Sequence, residues 1–271
     1  MKILLYGGKG WIGSQFVSIL QKNNINYKIS DVRVNTLEEV ENDIINYNPT
    51  HIISLIGRTH GSIEGKKYTT IDYLEEPGKL KENIEDNLIG PIILSNLCTK
   101  HNIHFTYLGT GCIFNYDKEH EFETKNNGFK EKDDPNFFGS SYSIVKGATD
   151  KLMRYNYNNC LNLRIRMPIT DFEHNRNFIT KITNYKYICS IKNSMTVLPD
   201  MLPVILDMME KKTTGTINLT NPGYISHNEI LQMYKDIVDD SFTWKNFSIK
   251  EQNKILKSNR SNNYLDTTKI Y

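Results

Sequence analysis

Tyr142-Ser143-Ile144-Val145-Lys146 sets a phenol and an ammonium four residues apart. On a helix that spacing puts both groups on one face. A cation beside a phenol favours the ionised form, so Tyr142 can exchange a proton with a carbonyl or alcohol oxygen near neutral pH. Thr110 stands just past an apolar run, where its hydroxyl can hydrogen-bond the same oxygen. Two residues on, Cys112 adds a thiol. A thiol can take a proton from a carbon next to a ketone, provided a second group returns one to the other face. Each group also has a plain structural reading: a solvated helix face for Tyr142 and Lys146, a turn contact for Thr110, a small buried hydrophobe for Cys112.

These groups need a frame, and Leu4-Leu5-Tyr6-Gly7-Gly8-Lys9-Gly10-Trp11-Ile12-Gly13 begins one. An apolar run flows into Gly7-x-x-Gly10-x-x-Gly13, and a helical pattern follows. The first glycine lets a strand turn sharply, the second lets backbone N–H groups approach a pyrophosphate, and the third lets the helix pack close. Three glycines alone describe an ordinary turn. With a strand before and a helix after, the loop Gly7, Gly10, Trp11, Ile12 and Gly13 reads as a dinucleotide site.

Strand patterns at 3–6, 27–30, 51–56, 104–108 and 161–166 alternate with helical ones at 11–22, 36–47, 84–100 and 142–156. Thr36-x-x-Glu39 is a capping-box signature, and Pro91 either kinks its helix or is tolerated by packing. Residues 58–80 and 115–139 read as loops, the first over the site. The alternation predicts an α/β protein with a Rossmann-like, doubly wound parallel sheet, whose ligands lie beyond the carboxyl ends of the strands. Three strand ends carry small or polar residues there: Gly7, Gly57 and Thr110. After Pro168 the pattern loosens, predicting a dinucleotide-binding domain over 1–166 and a smaller C-terminal substrate lobe over 167–271. Segments near 197–222, with a helix at 202–210 and a strand at 216–219, can return to the first domain. Ser226-x-x-Glu229 caps a further helix.

With Lys+Arg 33 against Asp+Glu 31 in 271 residues, neither nucleic acid nor an acidic membrane surface is implied. No segment has the length of a membrane span, and no apolar signal core is expected at the N-terminus. The four cysteines have no C-x-x-C or zinc spacing, so free thiols in a reducing compartment, a cytoplasmic setting and no metal are expected.

Glycine loop, Thr110 and Tyr-x-x-x-Lys together resemble the extended short-chain dehydrogenase/reductase superfamily. Leu108-Gly109-Thr110-Gly111-Cys112-Ile113-Phe114 is similar to a segment of GDP-fucose synthase in which a cysteine serves epimerisation. Over nearly the whole chain, the closest resemblance is to the bifunctional 3,5-epimerase/4-reductases of UDP-L-rhamnose synthesis. Pro49-Thr50-His51, Gly128-Phe129-Lys130-Glu131, Leu163-Arg164-Ile165-Arg166-Met167-Pro168, Asn177-Phe178-Ile179-Thr180-Lys181, Thr220-Asn221-Pro222-Gly223 and Arg260-Ser261-Asn262-Asn263 all fit that pattern.

This resemblance implies conversion of UDP-4-keto-6-deoxy-D-glucose to UDP-L-rhamnose. It makes Tyr142 the acid, has Lys146 hold the nicotinamide ribose and lower the Tyr142 pKa, has Thr110 orient the substrate oxygen, and pairs Cys112 with Lys181 for epimerisation. It puts Ile56, Gly57 and Thr59 on the adenosine and ribose side, Asn87 near the active site, and Asn177 and Arg260 on the UDP diphosphate. Asp31 would favour NADH and Arg33 NADPH; the family pattern favours NADPH, with NADH possible. It also implies a homodimer, a separate 4,6-dehydratase to supply the substrate, and relatives that run on past residue 271. Two other readings stay open: a single-function nucleotide-sugar 4-reductase of the dTDP-4-keto-rhamnose or GDP-fucose type, and a non-catalytic nucleotide-binding subunit. Which of Cys112 and Lys181 is the base at each carbon is left open.

Overall fold

A computed structural model describes residues 1–121, 127–155 and 158–271. From the N-terminus come β1 (Lys2–Tyr6), α1 (Trp11–Lys22), β2 (Asn26–Ile29), α2 (Leu37–Tyr47) and β3 (His51–Ser54). A hairpin of β4 (Gly61–Ile63) and β5 (Lys66–Tyr68) follows, then a 3-10 turn over Ile71–Glu75. Next are α3 (Leu80–Ile84), a π-turn over Glu85–Ile89, α4 (Gly90–Lys100), β6 (His104–Thr110), α5 (Ser141–Tyr155) and β7 (Cys160–Ile165). The remainder holds β8 (Pro168–Ile169), α6 (Phe178–Thr183), β9 (Thr196–Val197), α7 (Leu198–Glu210), β10 (Gly215–Asn218), α8 (His227–Ile237) and α9 (Ile249–Ile255). Residues 122–126 of the predicted loop over 115–139, and residue 156 at the end of a predicted helix, lie outside the described residues.

Six strands form one parallel sheet in the order β10-β7-β6-β3-β1-β2. Successive strand residues face opposite ways, so Ile3 and Leu5 join Phe16 and Leu20 of α1 and Leu202 and Ile205 of α7, while Leu4 and Tyr6 join Val40 and Ile44 of α2 and Leu94 and Leu97 of α4. The chain order reverses between β1 and β3, the switch point at which such a sheet opens a crevice for ligands. Helix α7 and strand β10 are laid against this sheet from the C-terminal part of the chain. A separate small core, Ile182, Ile188, Met195, Ile230 and Leu231, binds α6 to α8.

Three local expectations are corrected. Residues 58–80 are not plain loop: Glu64 and Gly65 both have positive φ and close the β4–β5 hairpin. The capping box at Thr36 does not form, because the Thr36 side chain makes no cap bond, whereas the box at Ser226 and Glu229 does. The helix predicted over 84–100 begins earlier, at Leu80, and passes through the π-turn just before Pro91. Pro91 has no N–H to give the Asn87 carbonyl; the Thr149 hydroxyl fills the gap at 2.6 Å.

Candidate active site

The β1–α1 loop is steric in its demands. Gly7 has φ +83°, and a Cβ there would lie 2.8 Å from the Leu55 carbonyl carbon. A Cβ on Gly13 would come to 2.3 Å from the Gly7 carbonyl oxygen. Gly10 caps α1 with its backbone, Ile12 packs on the core, and Trp11 stacks on His174 with ring centroids 5.3 Å apart. Against this helix N-terminus lies a cavity of about 500 Å³ bounded by Lys9, Gly10, Trp11, His60, His174 and Arg176. Helix N–H groups with two nearby cations suit an anion. Burial, then the charges of Arg176, Arg58 and Lys181, hold the His60 pKa down to about 4, so it is neutral at pH 7.

At the end of β2, Asp31 is paired with Lys9. Arg33 reaches Asp86 at 3.0 Å, and Arg58 holds the other oxygen of the same carboxylate at 2.7 Å. Arg58, which the sequence reading missed, therefore stands beside Arg33. Ile56 packs on the second core and Thr59 contacts the His60 ring at 3.2 Å. Asn87 braces the strand end beside Gly57: its side chain accepts from the Arg58 N–H at 3.0 Å and donates to the Arg58 carbonyl at 2.9 Å and to Asn83 at 2.9 Å. With both amide hydrogens spent, Asn87 holds the loop instead of offering a donor to substrate.

Strand β6 delivers Thr110 and α5 delivers Tyr142 and Lys146, all three under 9% exposed. The Thr110 hydroxyl accepts from the Cys112 N–H at 3.0 Å and hydrogen-bonds the Tyr142 phenol. One expectation fails here. Burial and the Cys112 thiol push the Tyr142 pKa up, and the cation opposing them is Arg166, not Lys146. Lys146 instead donates to the Tyr107 hydroxyl at 2.5 Å and sits over that ring. Burial brings the Lys146 pKa down to about 8, with Asp150 and Cys112 opposing. A protonated phenol at neutral pH is what a general acid needs, so the role of Tyr142 does not depend on the lysine.

Cys112 is half-buried, packed with Tyr73, Leu74 and Tyr142, whereas the three other cysteines are buried. Lys181, half-buried on the short helix α6, is lowered in pKa by burial and by Arg176 and Arg260. Arg260 pairs with Asp72 at 2.5 Å and is also bonded to Ser258. Asn177 caps α6: its oxygen accepts from Ile179 N–H, and its amide donates to the Thr170 and Phe172 carbonyls at 3.0 and 2.9 Å. The amide predicted to grip phosphate is thus already saturated, and Asn177 shapes the start of α6.

Two chain segments show that the Cys112 and Lys181 clusters are neighbours. Asp72 holds Arg260 while the adjacent Tyr73 packs on Cys112 and Tyr142. Likewise Arg260 acts on Lys181 while the adjacent Ser261 bonds Arg166, which touches the Cys112 sulfur. The thiol and the phenol–hydroxyl pair therefore sit together, and Lys181 is linked to them through Arg260, the adjacent Ser261 and Arg166.

A parallel doubly wound sheet with a glycine loop after its first strand, and Thr, Tyr and Lys around its fourth and fifth in chain order, defines a short-chain dehydrogenase/reductase-type enzyme. Residues 1–200 match the family described as RmlD substrate binding domain, and the chain belongs to it. It is 53% identical to protein L780 of Acanthamoeba polyphaga mimivirus, over all of this chain and 91% of that one. The crystal structure of L780, described as a UDP-rhamnose synthase, superposes with a TM-score of 0.95 over 100% of this chain and 92% of that one. The chain is also 41% identical to an Arabidopsis thaliana bifunctional dTDP-4-dehydrorhamnose 3,5-epimerase/dTDP-4-dehydrorhamnose reductase, over 98% of this chain and 85% of that one. An Arabidopsis trifunctional UDP-glucose 4,6-dehydratase/UDP-4-keto-6-deoxy-D-glucose 3,5-epimerase/UDP-4-keto-L-rhamnose-reductase is 40% identical over the full chain, which spans 39% of its length.

Proposed function

We propose that this enzyme converts UDP-4-keto-6-deoxy-D-glucose to UDP-L-rhamnose, by 3,5-epimerisation followed by NADPH-dependent reduction of the 4-ketone. The observation that carries this reading is Cys112, packed with Tyr142 and bonded through its N–H to Thr110, with Lys181 linked to it through Arg260, Ser261 and Arg166. A plain ketone reductase needs neither the thiol nor the amine. The relatives support the rest: L780 is described as a UDP-rhamnose synthase, and the Arabidopsis proteins as epimerase/reductases.

The 4-ketone acidifies the hydrogens on C3 and C5. Cys112 and Lys181 exchange protons there from opposite sides of the ring. Thr110 and Tyr142 donate to the C4 oxygen as negative charge develops on it. Bound NADPH supplies the hydride for C4. Tyr142 gives the proton to the C4 oxygen, and buried Lys146, which has no carboxylate ion-pair partner among the described residues, would hold the nicotinamide ribose. Both halves of the reaction charge the same oxygen, so one pocket serves both. The β1–α1 loop fits the dinucleotide: a side chain on Gly7 or Gly13 would clash with the backbone at Leu55 or at Gly7 and Gly8, so only glycine permits the tight turn that brings the α1 N-terminus to its phosphates. Arg33 and Arg58, held by one carboxylate, suit the 2′-phosphate of NADPH, while Asp31 is taken by Lys9. Arg260 and Arg176 are the cations available to the UDP diphosphate. Residues 1–166 serve mainly the dinucleotide and 167–271 mainly the nucleotide sugar.

A 4,6-dehydratase activity must supply the 4-keto-6-deoxy substrate, and the trifunctional plant protein carries that activity beside the epimerase and reductase. Ile144, Ala148, Leu152 and Tyr155 form an exposed apolar stripe along α5, which supports a homodimer through that helix. Among the described residues no helix is long and apolar enough to cross a membrane. We place the enzyme in the cytoplasm, where its free thiols would stay reduced.

The test is product analysis by NMR after incubation with NADPH and UDP-4-keto-6-deoxy-D-glucose, with the dTDP-linked sugar in parallel. UDP-L-rhamnose is expected. A 4-reduced sugar with C3 and C5 unchanged would reduce the protein to a single-function reductase, and faster turnover of the dTDP sugar would move the base preference.

A further inference from the structure

Arg166 is a charge at the site that the mechanism above does not use. Its side chain is 1% exposed, and among the described residues it has no carboxylate ion-pair partner. Arg164, two residues earlier and equally buried, contrasts with it by gripping Asp150 with two bonds of 2.9 and 2.7 Å. A buried cation without a counter-ion is costly unless something uses it. Arg166 is cradled by neutral groups instead: the Ser261 hydroxyl at 2.9 Å, the Ser261 carbonyl at 3.0 Å, the Gly111 carbonyl at 3.3 Å and the Asn193 side-chain oxygen. Its Nη1 also lies 3.6 Å from the Cys112 Sγ.

The turn that carries Cys112 is fitted to this side chain. A Cβ on Gly111 would come to 3.1 Å from the Arg166 Cγ and 2.7 Å from Leu265. Asn263 clamps the same turn by donating to the Gly111 and Phe114 carbonyls at 2.9 and 2.8 Å, and Ser261 donates to the Phe114 carbonyl at 2.6 Å. The guanidinium and the C-terminal segment thus fix the sulfur from behind.

We propose that Arg166 is a positioning residue for epimerisation, which aims the Cys112 sulfur at the sugar and supplies its counter-charge whenever the sulfur is anionic. In the forward step the C–H bond breaks, its electron pair moves onto the C4 oxygen, and the proton forms an S–H bond. In the reverse sense the S–H bond breaks and its electrons remain on sulfur. Whichever direction Cys112 works at each carbon, sulfur is anionic on one side of the transfer. This inference rests on the proposed epimerisation.

The full-length chain carrying Arg166→Gln, which keeps hydrogen bonding without charge, is compared with Arg166→Lys, which keeps charge. Three rates are read: alkylation of Cys112 by iodoacetamide, deuterium wash-in at C5, and hydride transfer to already epimerised UDP-4-keto-L-rhamnose. Arg166→Gln is expected to slow alkylation and wash-in by about tenfold or more, and wash-in by about tenfold more than hydride transfer, with Arg166→Lys recovering much of the loss. Alkylation at the wild-type rate in Arg166→Gln, equal losses of wash-in and hydride transfer, or no recovery with lysine would overturn the proposal. Should the wild-type chain exchange no deuterium, the epimerase reading fails, while the alkylation rates still decide whether Arg166 activates the thiol.

Discussion

Tyr142→Phe removes one oxygen from the centre of the site and little else. The ring stays in the cluster with Tyr73, Leu74 and Cys112, and Thr110 keeps its bond from the Cys112 N–H at 3.0 Å. The fold loses one hydrogen bond, to Thr110, a cost of about 0.5–1.5 kcal/mol. The reaction loses the proton donor for the C4 oxygen, which general acid catalysis values at about 10²–10⁴ in rate. At about 1.4 kcal/mol per decade, that is about 2.8–5.6 kcal/mol of transition-state stabilisation. NADPH oxidation in a single turnover should therefore slow by two to four decades, while NADPH affinity, followed by fluorescence, changes by less than about threefold. Hydride transfer within tenfold of wild type would refute the acid role. A loss of cofactor affinity matching the loss of rate would show instead that the hydroxyl serves binding.

The remaining expectations use the same geometry. Gly13→Ala would drive a Cβ to 2.3 Å from a backbone oxygen, so the chain should lose about 1–3 kcal/mol in denaturant unfolding and at least about tenfold in NADPH affinity. Lys146, with its pKa lowered to about 8, holds ribose as a cation, so kcat/KM for NADPH should fall as pH rises through about 8. Because the unfolded lysine keeps its proton up to about 10.4, the same group should make folding more favourable as pH rises from about 8 to that value, read by unfolding at several pH values. Leu152→Glu puts a charge on the apolar stripe of α5 and should shift sedimentation to the monomer; an unchanged dimer would place the interface elsewhere.

Much of the frame is legible because period and punctuation agree in β1, α1, β3 and β6. Each strand is a short apolar run ending in glycine or threonine, and each helix shows one apolar face. The hairpin over 61–68 escapes because its strands are three residues long and half exposed, so Gly65 is its one signal. Thr110, Cys112 and Tyr142 are readable from local spacing. Arg166 and Arg58 are not: their roles come from long-range contacts, to Ser261 95 residues away and to Asp86 28 residues away, which no local pattern records. Asn87 and Asn177 show the opposite error. A family motif marks the position, but the bonds that saturate each amide run to backbone groups visible only in the fold.

Mass spectrometry of the sugar after incubation in deuterated water, with enzyme and UDP-4-keto-6-deoxy-D-glucose but no NADPH, bears most directly on the two-carbon proton exchange. Two deuterons, one at C3 and one at C5, are expected with the wild-type chain, and neither with Cys112→Ala. A sugar recovered without deuterium from the wild-type reaction, or labelled equally by the Cys112→Ala chain, would contradict the account.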